Sequence, residues 1–182
     1  MTLDFMVAIL REAGGRFGEA PFPVEVDGRR YAVATDGFVI VAVPWPGPLT
    51  GTFTAGPRML DHLAMPKEGG HVVSPLQLRH FAGPHRERLT WYHGDGDGPF
   101  YYDRQRACVL FGVDLDANRL ASALQAFEGP EVRVVVGGPR DPVRLTDGVA
   151  LATLMPMLIP RWGEDGPSEF LYGSGRIDQA YQ

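Results

Sequence analysis

Apolar side chains crowd the start of the chain, with Leu3, Val7, Leu10 and Phe17 in step with a helix and Phe5, Met6 and Ile9 beside them. This broad apolar face predicts a helix over residues 2–13 that stops at Gly14-Gly15, with Asp4 in its first turn and Arg11 in its last to suit the helix dipole. The pattern then changes. Residues 23–26 and 30–35 predict strands around an Asp27-Gly28 turn, and 38–43 a third strand after Asp36-Gly37. The helical period returns in Leu120, Leu124 and Phe127, which predict a second helix over 116–127, capped by Asp116 or Asn118 and ended by Gly129-Pro130. Val132, Val134 and Val136 then alternate, and a Gly137-Gly138-Pro139 turn, a strand over 142–145, an Asp147-Gly148 turn and a strand over 149–154 complete a second meander. A helix followed by strands joined at Asp-Gly turns thus occurs in both halves, the pattern of an internally duplicated α+β fold.

Between the halves, residues 44–111 open with the loop Pro44-Trp45-Pro46-Gly47-Pro48 and contain a predicted helix Pro75–Phe81 capped by Ser74. A hairpin with arms at 88–93 and 100–104 is expected around the Gly/Asp-rich segment 94–99. Residues 159–182 mix Trp162, Phe170, Leu171, Tyr172 and Tyr181 with Gly, Ser and Asp, and predict an irregular tail.

Two segments carry a resemblance. Tyr31-Ala32-Val33-Ala34-Thr35-Asp36-Gly37 is similar to a strand of the bacterial DNA polymerase sliding clamp that ends in Ala-Thr-Asp-Gly. The run from Val113 through the second meander into Leu154-Met155-Pro156-Met157 resembles the end of that clamp's last domain, which closes on Met-Pro-Met. Both occur in the family's order and together cover residues 2–43 and 113–158. The resemblance implies a sliding-clamp-like α+β fold, two helices against a curved antiparallel sheet. On it, residues 1–158 form one unit, in which 44–111 is a large insertion or part of a second, reduced unit, and 159–182 is the tail.

The function implied is that of an accessory or binding factor in DNA replication or repair. In the family, basic helix faces track duplex DNA, and a pocket beside Met-Pro-Met grips linear peptides of polymerases and repair proteins. Carried over, Arg11, Arg16 and Arg119 would lie near phosphates, and Leu154, Met155, Pro156 and Met157 would contact a partner peptide. A clamp protomer contains three such domains; a ring of this chain, a homo-oligomer, would need about six copies, or about three if each contributes two reduced domains. Two alternatives stand beside this: a clamp-derived interaction module of phage or mobile-element type that does not encircle DNA, and an unrelated α+β domain or an enzyme with a site in 44–111.

Charge strains the DNA role. The net charge is −5, Lys67 is the only lysine, and the helix segments 2–16 and 116–128 set Arg11, Arg16 and Arg119 against Asp4, Glu12, Asp116 and Glu128. Phosphate binding needs clustered cations, so duplex affinity is expected to be weak.

Catalytic and metal chemistry find little support. His62, His71, His80, His85 and His93 match neither a helical i, i+4 pair nor structural zinc spacings, and Cys108, in an apolar run, is expected to be a buried, inert thiol. Gly94-Asp95-Gly96-Asp97-Gly98 lacks the remaining ligands of a calcium loop, Gly137-Gly138-Pro139-Arg140 precedes no helix, and no nucleophile-elbow pattern occurs. No cofactor, metal or enzymatic activity is expected. The N-terminus has an acidic and no basic residue before its apolar run, and no stretch reaches the ~18 apolar residues of a membrane span, so a cytoplasmic location without membrane contact is expected.

Overall fold

The computed structural model describes residues 3–64, 69–81, 92–94, 98–100, 107–111, 113–138, 140–157, 171–172 and 175–176. Helix α1 (Asp4–Glu12) leads into the meander β1 (Phe22–Val26), β2 (Arg29–Thr35) and β3 (Val39–Pro44). The middle of the chain forms α2 (Pro57–His62), β4 (His71–Val73), α3 (Pro75–Phe81), the hairpin β5 (Tyr92–Gly94) and β6 (Gly98–Phe100), and the pair β7 (Ala107–Leu110) and β8 (Val113–Asp116). Helix α4 (Ala117–Ala123) tightens into a 3-10 turn at Leu124–Ala126 and leads into a second meander, β9 (Val132–Val135), β10 (Val143–Thr146) and β11 (Leu151–Leu154). A short pair, β12 (Leu171–Tyr172) and β13 (Gly175–Arg176), follows in the tail.

The two meanders, with β4 added beside β9, join into one seven-stranded antiparallel sheet in the order β1-β2-β3-β11-β10-β9-β4. The joint is the antiparallel pair β3–β11, where Val39 faces Leu154 and Ala42 faces Leu151. Each half therefore contributes a helix and three strands, and last strand meets last strand.

Strand alternation puts Ala32, Ala34, Val39, Val41 and Val43 on one face with Val134, Leu145, Ala152 and Leu154. The apolar sides of α1 (Phe5, Met6, Ile9, Leu10) and of α4 (Leu120, Ala123, Leu124) pack on that face and form the main core. A smaller cluster on the opposite face gathers Phe22, Tyr31, Val33, Ala42 and Leu151 under Leu63, with Phe53 and Met59 against it. Part of segment 44–111 is thus integral to the unit. Residues near Phe53 and Met59 cover the back of the sheet, and β4 extends its edge.

Local chemistry explains where elements begin. The strands after Asp36-Gly37 and Asp147-Gly148 start later than periodicity suggests, because the aspartate takes up the next amides: Asp36 Oδ1 accepts from the Phe38 and Val39 N–H groups, and Asp147 Oδ1 from those of Val149 and Ala150. At α4 the cap is Asp116, whose Oδ1 accepts from the Asn118 and Arg119 amides at 2.9 and 3.1 Å. At α3, Ser74 Oγ accepts from the Gln77 amide while Gln77 Oε1 accepts from the Ser74 amide, a reciprocal capping box.

The β1–β2 turn places Asp27 and Gly28 at φ 50° and 73°, the left-handed pair of a tight hairpin. A Cβ at Gly28 would meet no atom within 4 Å, so Gly28→Ala tests backbone conformation alone. Its expected cost is about 1 kcal/mol, read as a lowered urea midpoint at unchanged slope.

Candidate functional site

The two halves carry the same turn. In Thr35-Asp36-Gly37 the Gly37 amide donates to Thr35 Oγ1 at 3.0 Å, and Asp36 Oδ1 accepts the next two amides at 2.7 and 2.8 Å. In Thr146-Asp147-Gly148 the corresponding bonds measure 3.0, 2.9 and 2.8 Å. Gly37 and Gly148 sit at φ 95° and 88°, where glycine is the residue that fits without strain.

The duplication breaks at the first turn. Asp36 is buried at 7% exposure, and its second oxygen, Oδ2, accepts a 2.6 Å bond from Arg119 Nε of α4. The guanidinium also reaches Asp116 Oδ2 at 3.3 Å and lies 4.5 Å from the ring centroid of Phe38. Arg119 therefore ties the second helix to the turn of the first half, with Asp36 as its counter-ion.

Beside this latch, the Phe38 carbonyl accepts the Met155 N–H at 2.7 Å, adding one rung to the β3–β11 ladder beyond Val39 and Leu154. Phe38 and Met155, 55% and 39% exposed, are thus apolar residues joined at the surface by one backbone bond. The Met157 amide then donates to the Asp114 carbonyl at 2.7 Å, so the segment after β11 is held at both ends by backbone bonds. At the other end of the seam Val149 falls opposite Pro44 by continuation of the register, and proline has no N–H to add such a bond.

Arg16 completes the neighbourhood. It is exposed, its guanidinium lies 5.1 Å from the Phe17 ring centroid, and its Nη1 lies 3.9 Å from where a side chain at Gly37 would begin.

Four of the residues singled out in the sequence thus meet around one turn: Arg16, Arg119, Met155 and, beneath the surface, Leu154 at 1% exposure. Pro156 and Met157 are half-buried next to them. Arg11 is exposed in the last turn of α1 and shares no contact with this group. Sequence reasoning missed Phe38 and Asp36. The signal was present in the repeated Thr-Asp-Gly, which exposes the residue that follows it in both halves: Phe38 and Val149.

The outward sides of the two helices are nearly devoid of positive charge. On α1 the exposed residues are Asp4, Ala8, Arg11 and Glu12, and on α4 they are Asn118 and Ala121, with Gln125 following. One arginine stands against two carboxylates. Open grooves of about 450 Å³ beside Ser74 and Phe127, and of about 380 Å³ beside Val24 and Phe53, lie away from the turn.

His62 ends α2, its carbonyl accepting from Thr153 Oγ1, and His71 stacks on Phe111 with centroids 3.9 Å apart. His85 lies outside the described residues, as do most of the tail and the tip and outer arms of the central hairpin. Among the described residues no group of three or more His, Cys, Asp or Glu could hold a metal ion, and no helix is long and apolar enough to cross a membrane.

No protein-family model matches the chain, and no curated protein matches it. Among solved structures it is similar to the DNA polymerase sliding clamp of Caulobacter crescentus, with 13% identity over 87% of this chain and 65% of that one, and a TM-score of 0.49. It is also similar to the DNA polymerase III beta subunit of Thermotoga maritima, with 11% identity, 89% and 67% coverage and a TM-score of 0.45. For the beta subunit of Pseudomonas aeruginosa the corresponding values are 12%, 90%, 68% and 0.40. The chain spans 65% of the length of the Caulobacter clamp.

Proposed function

We propose that the chain is a clamp-like, non-catalytic binding factor of DNA replication or repair, and that it works as a protein-interaction module without needing to encircle DNA. The observation that carries this is the exposed Phe38–Met155 rung, whose Met155 belongs to the segment that the sequence resemblance assigns to partner contact. Exposed apolar side chains held on a paired backbone suit a linear peptide that lays down one or two anchor residues. Met155, Pro156 and Met157 supply the surface; Leu154 supports it from the core side.

Duplex DNA is the weaker partner in this reading. Arg119 already has Asp36 as counter-ion, which leaves Arg11 and Arg16 as the phosphate contacts among the three assigned arginines. Two cations beside an otherwise acidic helix layer release few counterions, and duplex affinity should be low and only shallowly dependent on salt.

The test compares two labelled probes by fluorescence anisotropy: a peptide carrying the clamp-binding segment of a bacterial polymerase, and a blunt DNA duplex. Met155→Glu is expected to weaken the peptide at least ~10-fold while leaving the unfolding midpoint unchanged. Peptide affinity indifferent to Met155→Glu would remove this site from the proposal. Tighter binding of the duplex, with a trimer or hexamer in light scattering, would establish an encircling ring in its place.

A further inference from the structure

We infer that Arg16 makes the Phe38–Met155 site selective for an acidic peptide, one with a carboxylate close to its apolar anchor; this rests on the peptide-binding reading above. The two arginines at the turn differ in one respect. Arg119 spends its charge on Asp36, whose other oxygen is taken by the Phe38 and Val39 amides. Arg16 is exposed, and its guanidinium lies 5.1 Å from the Phe17 ring centroid and beside Gly37. No described carboxylate lies within ion-pair distance of it.

The guanidinium carbon lies over the Phe17 ring at 5.1 Å, and an arginine can grip a carboxylate with two parallel bonds. Gly37 lies between Arg16 and Phe38 in the turn, and a Cβ there would meet the Phe17 ring at 3.6 Å and Arg16 Nη1 at 3.9 Å, so the guanidinium lies against the turn that carries Phe38. A bound peptide that seats an apolar residue on Phe38 or Met155 therefore meets a cation beside the same turn.

The occupant that fits is a short segment pairing a large apolar residue with aspartate or glutamate. A nucleic-acid backbone fits less well. It repeats its charge and needs several cations in a row, whereas this site offers one beside an apolar surface, on a chain of net charge −5.

The experiment uses the full chain on an array of synthetic hexapeptides with a fixed central leucine or phenylalanine, each neighbouring position carrying aspartate, asparagine or lysine in turn. Affinities of selected members are then measured in solution. Aspartate is expected to exceed asparagine about tenfold at one or two positions. Arg16→Gln should abolish that preference while keeping binding through the anchor, and Arg16→Glu should shift it towards lysine. Arg16 is exposed, so both variants should unfold at the wild-type urea concentration. An aspartate preference that survives Arg16→Gln overturns the inference and leaves the site standing. Loss of duplex binding in Arg16→Gln, with peptide selectivity intact, overturns it in favour of a phosphate contact. Failure of every anchor peptide, with Met155→Glu equally without effect, removes the site itself.

Discussion

Asp36→Ala is expected to destabilise the protein by about 3–4 kcal/mol, whereas Asp147→Ala at the duplicated turn should cost about 1–2 kcal/mol. Both substitutions remove a carboxylate that accepts two backbone amides. Only the first also takes the nearer of two carboxylates from Arg119, because the Asp36 side chain is 2% exposed and accepts from Arg119, itself 24% exposed and left with Asp116 at 3.3 Å. Urea unfolding of the two variants side by side isolates the ion pair, since the turns are otherwise alike. Equal losses would mean that the latch adds nothing beyond the turn. Arg119→Met, which removes the cation, keeps the apolar stem over Phe38 and leaves Asp36 its two amide donors, should fall between the two.

Leu154→Ala should lower stability by a comparable amount, about 2–5 kcal/mol, although its neighbour Met155→Ala should cost less than about 1 kcal/mol. Leu154 is 1% exposed in the cluster that joins both helices to the sheet, and its removal leaves a cavity that the β3–β11 ladder prevents from closing. Met155 points to solvent. Binding should show the opposite order, with Met155→Ala losing peptide affinity and Leu154→Ala retaining it at temperatures where the fold persists. If Leu154→Ala and Met155→Ala lost affinity equally while folded, the contact would run through the core and not the exposed rung.

These contrasts mark what a sequence reveals. The helices at both ends and the Asp-Gly turns were legible because their causes are local: apolar spacing within one helix, a side chain bonding amides two or three residues on. Strand β4 is three residues long with no flanking pattern of its own, and exists because β9 offers it an edge. Helix α2 buries none of its residues and leaves no apolar stripe to find. The Arg119–Asp36 bond spans 83 positions, so no local spacing could reveal it, and Arg119 looked like a free surface cation. The motif Leu154-Met155-Pro156-Met157 likewise read as one unit, yet strand alternation sends its first residue inward and its second outward.

The β3–β11 seam bears on the origin of the chain. Each half ends its meander on the strand that meets the other, and antiparallel pairing of equivalent strands is the arrangement two identical subunits adopt across a two-fold axis. Parted from its counterpart, either meander would expose an unpaired strand edge able to accept a copy of itself. The fold is thus the geometry of a two-fold pair written into one polypeptide, with its two turns no longer alike: one is a plain hairpin turn, and the other is held by Arg119 from the far half and followed by Phe38.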